Sequence, residues 1–248
     1  MDSGGSVHLS LNGDYLGSAK LVAEILKNNR SKFVLELAAG KGVNTKYLAK
    51  KFSQKNFFAI DLPKGQFYPK KLSKLANIKA DFGDFHDLRQ FKDSTFDCVF
   101  IIEALCYANN QLGVMKEVNR ILKQKGIFVI IQDNIAKKKY SETELYALKL
   151  LHAGVMSNFK DRTYYSLKTN LTKTGFKIVK QSDLTEALRP QMIKFETQAR
   201  FFIKHRKFTK LLIRALPLEI TANIISVYLL PALFEAKLDK YELVLAKK

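Results

Sequence analysis

Apolar and polar residues along this chain follow two periods. Phe33-Val34-Leu35 is a short apolar run that closes on Glu36 and the turn Ala38-Ala39-Gly40-Lys41-Gly42. Helix-compatible sequence follows to Phe52, and a second apolar run, Phe57–Ile60, closes on Asp61. A strand, tight glycine turn, helix and parallel strand of this size make one βαβ unit. Ile78–Ala80 reads as a short third strand, reached through a loop and a weak lysine-rich helix between Leu62 and Lys74. Phe96–Ile102 is apolar throughout, as a parallel strand buried on both faces is. Ile127–Ile131, Phe176–Val179 and Tyr241–Ala246 supply three more strands. Helical spacing at Leu21, Val22, Ile25 and Leu26 predicts a helix from about Ser18 to Asn28. Val114, Met115, Val118, Ile121 and Leu122 predict another from about Leu112 to Leu122, ended by Lys125-Gly126.

Two stretches stand outside this alternation. Residues 1–17 contain Gly4, Gly5, Gly13 and Gly17 without a period and read as a mobile lead-in that folds over the site. Ser182–Lys240, between the last two strands, is much longer than a hairpin connection and rich in Phe, Leu and Ile. A connection of that length has structure of its own, here two or more amphipathic helices broken by Pro217 and Pro231. It reads as a helical cap, with a hydrophobic substrate tunnel or a membrane-facing surface as the alternatives. The organisation expected is one domain over 1–248, with a lead-in and helix over 1–30 and the insertion over 182–240.

Composition changes this picture in one respect. Hydrophobic content of 47% and charged content of 26% are ordinary for a globular chain of 248 residues. Two cysteines, Cys98 and Cys106, lack metal or disulfide spacing and fit a reducing, cytoplasmic setting. The amino end carries no signal-peptide pattern, and Leu211–Phe234 is interrupted by Arg214, Pro217, Glu219 and Pro231, which makes a poor membrane span. The net charge of +19 is the departure. Scattered lysine suits a compositional origin, attraction to an anionic membrane at the periphery, or nucleic acid. No arginine-rich segment or nucleic-acid module supports the last.

The glycine turn carries the first chemistry. Gly40 and Gly42 let backbone approach a ligand, and the amides opening the next helix offer donors. Asp61, at the tip of the second strand, can accept from both hydroxyls of a ribose. A dinucleotide fingerprint would need a third glycine where Thr45 stands. Glu36 through Gly42, E-x-A-x-G-x-G, resembles instead motif I of class I S-adenosylmethionine (SAM) methyltransferases, with Ala38 where that family more often has glycine. GDFHDLRQFKDSTFDCVFIIEALCYANN and EVNRILKQKGIFVI extend the resemblance over about Phe33–Gln132, closest to the sterol and quinone methylating group.

That resemblance implies an α/β, Rossmann-like seven-stranded sheet of order 3-2-1-4-5-7-6, the last strand antiparallel, with helices on both faces. It implies SAM as cofactor. Glu36 would orient the methionine end beside Ala38, Gly40 and Gly42, while Asp61 and Leu62 would meet the ribose. Asp84 and Phe85 would meet adenine, and Ile102, Glu103 and Ala104 would face the methyl donor and acceptor.

Methyl transfer from a sulfonium needs alignment, exclusion of water and at most one base. Glu103 beside Tyr107 is the candidate base, with His8 or Tyr15 reaching the crevice if the lead-in folds over it. His86 reads as a surface residue, and Asp133 as a possible substrate ligand. The four histidines show no metal-ligand spacing. The acceptor expected is small and hydrophobic: sterol, quinone, terpenoid or lipid-like. A polar metabolite, RNA, or a non-catalytic SAM-binding subunit are the alternatives. Amino-methylating nucleic-acid enzymes usually carry Asn/Asp-Pro-Pro-Tyr/Phe after the fourth strand, where this chain has Glu103-Ala104-Leu105-Cys106.

Overall fold

The computed structural model describes residues 9–63, 66–135, 139–154, 164–216 and 218–248. Seven strands form one sheet: β1 Phe33–Leu37, β2 Asn56–Asp61, β3 Ile78–Phe82, β4 Phe96–Ile102, β5 Leu122–Ile135, β6 Lys177–Asp183 and β7 Asp239–Lys247. Their order is β3-β2-β1-β4-β5-β7-β6, as expected. β1 to β5 pair in parallel, and β7 runs antiparallel to both β5 and β6.

Strand alternation sends residues to two cores. Val34, Phe57, Cys98, Phe100, Val129 and Ile131 pack on one face, beneath α1 (Gly17–Lys27), α2 (Val43–Lys51) and α5 (Glu142–Gly154). Leu35, Leu37, Ile60, Val99, Ile101 and Phe128 pack on the other, beneath α4 (Gln111–Ile121) and α6 (Tyr164–Lys173). α1 buries Ala19, Val22, Ala23 and Leu26 completely, the stripe that its spacing predicts. α4 is capped by Asn110, whose side chain accepts from the Gly113 amide at 2.9 Å.

Several boundaries differ from the sequence expectation. The lysine-rich helix shrinks to a single turn, α3 (Pro69–Leu72). β5 starts directly at the end of α4 and runs on to Ile135. Its first residue pairs with Phe96 before a register shift, where Lys125 takes φ +65°. Its last residues look polar, yet Gln132 and Asn134 are buried and bonded to each other. α5 and α6 went unread, because neither has a clean apolar stripe in sequence.

The insertion forms three helices: α7 (Arg189–Lys204), α8 (Arg206–Ala215) and α9 (Leu218–Glu235). Leu216, ahead of Pro217, takes the extended conformation that a following proline favours. Residue 217 itself lies outside the described residues. Pro231 does not break the chain as expected; it sits inside α9. Leu230, Leu233 and Phe234 around it are buried in the core, and that packing offsets the missing backbone bond. Among the described residues no helix is long and apolar enough to cross a membrane.

Candidate functional site

The carboxyl ends of the neighbouring strands β1, β2 and β4 lie along one edge of the sheet, where open α/β sheets bind ligands, and the turn after β1 lies there. Ala38, Gly40 and Gly42 all take positive φ, at +53°, +56° and +70°. Two are glycines, for which that region is free; Ala38 bears the cost of its methyl there. A Cβ on Gly40 would meet nothing within 4 Å, so open space adjoins the backbone at that point. A Cβ on Gly42 would lie 2.6 Å from Leu72 Cδ2, so the Leu72 side chain would have to shift, and the φ of +70° strains any other residue there. The two glycines therefore do different jobs.

Asp61 ties this turn to β2. One carboxylate oxygen accepts from the Gly40 amide at 2.6 Å and the other from the Leu62 amide at 2.7 Å. A carboxylate has further lone-pair positions, so it can still accept from a ligand hydroxyl. Leu62 beside it is 45% exposed, a free apolar surface at the crevice edge.

Glu36 is buried, and both its oxygens are engaged at the start of α2. Asn44 donates to one at 3.0 Å; the Thr45 amide, at 3.0 Å, and the Thr45 hydroxyl donate to the other. A carboxylate there satisfies otherwise unpaired donors at a helix start. Burial nevertheless pushes its pKa up, to about 7, against the lowering effect of those bonds, and the Asp61 charge adds to the rise. The expected ligand-orienting acid is thus the group that fixes the turn.

Asp84 lies in the loop after β3 and is exposed. One of its oxygens accepts from the His86 amide at 2.9 Å and lies 2.7 Å from His86 Nδ1. The Asn109 amide donates to His86 Nε2 at 3.1 Å, which puts the ring proton on Nδ1, facing Asp84. His86, expected to be a surface residue, instead couples the Asp84 loop to the loop after β4. The Phe85 and His86 rings lie 4.5 Å apart between centroids. The signal that could have found this was the spacing Asp84-x-His86, in which a carboxylate and an imidazole two residues apart form a local turn.

Glu103 follows β4 at φ +53°, and Ala38 follows the neighbouring β1, also at φ +53°. Adjacent strands thus both end in a backbone conformation that costs energy outside glycine, a feature that clusters at functional sites. The phenol bonded to Glu103 belongs to Tyr241, at the start of β7: its hydroxyl donates at 2.6 Å. Tyr107, the candidate set beside Glu103 in the sequence, lies exposed on a 3-10 turn after β4. Tyr241 is fully buried, and burial together with the Glu103 charge raises its pKa well above the ordinary value. The Leu9 amide donates to both Glu103 oxygens, at 3.2 and 3.3 Å.

The described part of the lead-in therefore does lie over the end of β4. Asn12 and Gly13, both at positive φ, turn it back in a hairpin closed by the bridge Leu11–Asp14. The Ser10 amide donates to the Gln191 side chain, and the Asn12 amide to the Ala187 carbonyl at 2.6 Å. These bonds join it to the base of the insertion, where Leu188 and Met192 share a core with Leu9 and Leu11. His8 lies outside the described residues. Ile102 is buried in the strand end, and Asp133 pairs with Tyr241 across β5 and β7. Among the described residues no cluster of His, Cys, Asp and Glu could hold a metal. Cys98 and Cys106 are buried, and burial pushes the Cys98 thiol far above its ordinary pKa, as in an inert core residue.

The family described as a methyltransferase domain matches residues 35–130. A sterol 24-C-methyltransferase from Kluyveromyces lactis is 30% identical over 130 residues, 50% of this chain and 34% of that protein. The chain spans about a third of the length of the curated relatives it matches first. Among solved structures, a Galdieria sulphuraria protein described provisionally as a sarcosine dimethylglycine methyltransferase has a TM-score of 0.74 at 16% identity. That match covers 94% of this chain and 86% of that one. Geranyl diphosphate C-methyltransferase from Streptomyces coelicolor A3(2), solved with S-adenosyl-L-homocysteine, has a TM-score of 0.68 at 13% identity, covering 97% and 87%. The two structures establish the fold. By sequence across its core and by fold across nearly its whole length, the chain resembles class I SAM-dependent methyltransferases, and in sequence the sterol group.

Proposed function

We propose that this chain, built on the methyltransferase fold, moves a methyl group from SAM to a small apolar acceptor. The observation that carries the first half is the cradle at Gly40. Backbone there adjoins open space, the turn is fixed from below by Glu36, and Asp61 sits at its side. Those donors and acceptors suit an adenosine cofactor with a charged amino-acid end: Asp61 for the ribose, Asp84 and Phe85 for the base, and the turn amides for a carboxylate. When bound, the cofactor supplies a sulfonium-activated methyl group.

The chain's own contribution is alignment and exclusion of water. Leu9 and the base of the insertion cover the end of β4, and the buried Tyr241 hydroxyl holds Glu103 beneath them. With the cofactor bound, a Glu103 carboxylate oxygen would take the proton that the acceptor releases on accepting the methyl group.

The acceptor half rests on the insertion. Between α7, α8 and α9 lies a cavity of about 440 Å³ lined by Phe202, Ile203, Leu212, Leu216 and Tyr228 among others. Apolar burial contributes about 25 cal/mol per Å², so an isoprenoid or ring system seated there gains several kcal/mol. Incubation with methyl-labelled SAM and separate pools of sterols and isoprenoids, polar amines and RNA tests the reading. Label is expected in the apolar pool, and Phe202→Ser should slow its transfer. Label confined to amines or RNA, or no transfer at all, overturns it.

A further inference from the structure

Helix α8 is ten residues long and buries none of them. By helical spacing Phe208, Leu211 and Ala215 share one face. Phe208 is 47% and Leu211 65% exposed, so that stripe faces outward rather than into the domain. From α8 the cavity is lined by Arg206, Thr209, Lys210, Leu212 and Ile213, and by neither Phe208 nor Leu211. Phe201, at the end of α7, extends the outward stripe: it is half exposed, with its ring centroid 6.4 Å from that of Phe208. A folded chain gains nothing by holding three large apolar side chains in water, so the face has an occupant in use.

The charge beside it identifies that occupant. Lys207 and Arg214 flank the stripe, Arg200, Lys204, Arg206 and Lys210 lie on the same two helices, and no acidic residue occurs from Thr197 to Leu218. Among the described residues Arg200 alone of these has an ion-pair partner, Glu196 at 2.6 Å. On the helix, Lys207 and Arg214 border Leu211, where their apolar stems can run along the stripe and their charges reach past it. We propose that α8, with the end of α7, is an interfacial helix that seats this protein on an anionic phospholipid bilayer, Phe201, Phe208 and Leu211 entering the acyl boundary. A nucleic-acid site would use the same cations but has no need of an aliphatic face projecting between them. Interfacial binding requires both. The inference stands apart from the acceptor reading, since neither Phe208 nor Leu211 lines the cavity.

Flotation of the full chain with vesicles tests it. The protein should float with phosphatidylcholine vesicles that contain phosphatidylserine, less with pure phosphatidylcholine, and progressively less as salt rises. Phe208→Ser with Leu211→Ser, and separately Lys207→Gln with Arg214→Gln, should each weaken partition roughly tenfold or more. Circular dichroism and S-adenosylhomocysteine affinity should stay unchanged in both. The proposal is overturned if the parent fails to float, if the variants float equally well, or if the cations retain RNA while ignoring vesicles. It is equally overturned if sedimentation shows a dimer that the Leu211 substitution abolishes. Methyl transfer to a polar acceptor alone would remove the acceptor reading while leaving the vesicle result untouched.

Discussion

Glu36 makes stability depend on pH in a window where most carboxylates are silent. The unfolded chain loses this proton near 4.5, whereas burial holds it in the folded protein to about 7. Between those values the folded state binds more protons, so the stabilisation is complete below 4.5, is lost as pH rises to about 7, and is level above. The difference, 7 − 4.5, corresponds to about 3 kcal/mol at 1.36 kcal/mol per pKa unit. For a chain of this size that is roughly 6–12 °C in melting temperature. The experiment is scanning calorimetry of the parent and Glu36→Gln from pH 4.5 to 8. Glutamine keeps an acceptor for Thr45 but has no proton to lose. Glu242, also raised by burial, acts in the same direction but is present in both proteins and cancels in the comparison. Asp87, held near 2 by Arg89, titrates below the window. The variant should therefore gain on the parent steadily as pH rises to 7. A constant offset across the range would mean that water reaches the carboxylate, and the account of a turn fixed by a desolvated acid would fail.

The two glycines of the same turn should separate binding from folding. Gly40→Val is expected to abolish S-adenosylhomocysteine binding and lower stability by about 1–2 kcal/mol, the cost of its left-handed backbone. Gly42→Ala, whose methyl would overlap Leu72, should instead cost about 1–3 kcal/mol in urea unfolding; the reverse pattern would exchange their roles. Tyr241→Phe removes the bond to Glu103 and should cost about 1.5–3 kcal/mol, with faster amide exchange at Leu9. Unchanged exchange there would show that the lead-in is held by other contacts.

The sheet was legible because a parallel sheet buried on both faces writes itself as apolar runs, and because the first four runs each end at an acid: Glu36, Asp61, Asp81 and Glu103. β4 was read to the residue, whereas β5 was cut short at both ends. Its polar Gln132 donates to Asn134, which donates in turn to Glu242 on β7, a compensation that only tertiary structure reveals. Pro231 misled for a similar reason: core packing around α9 outweighs one lost backbone bond. In the crevice, residues next to glycine turns and strand ends could be named from local pattern. The partners that hold them could not. Tyr241 reaches Glu103 across 138 positions and Gln191 reaches Ser10 across 181, and no local period records such contacts. The Asn12-Gly13 turn was legible and passed over; the Leu9 bond to Glu103 was beyond sequence.

Calorimetry of S-adenosylhomocysteine binding to the parent and to Asp61→Ala, with folding checked by circular dichroism, bears most directly on the central claim. Asp61 both holds the Gly40 amide and offers acceptors beside the cradle, so its loss should weaken binding by about 1–3 kcal/mol while the fold persists. A parent protein that ignores S-adenosylhomocysteine, or binds a dinucleotide more tightly, would contradict the account, as would an Asp61→Ala variant that binds like the parent.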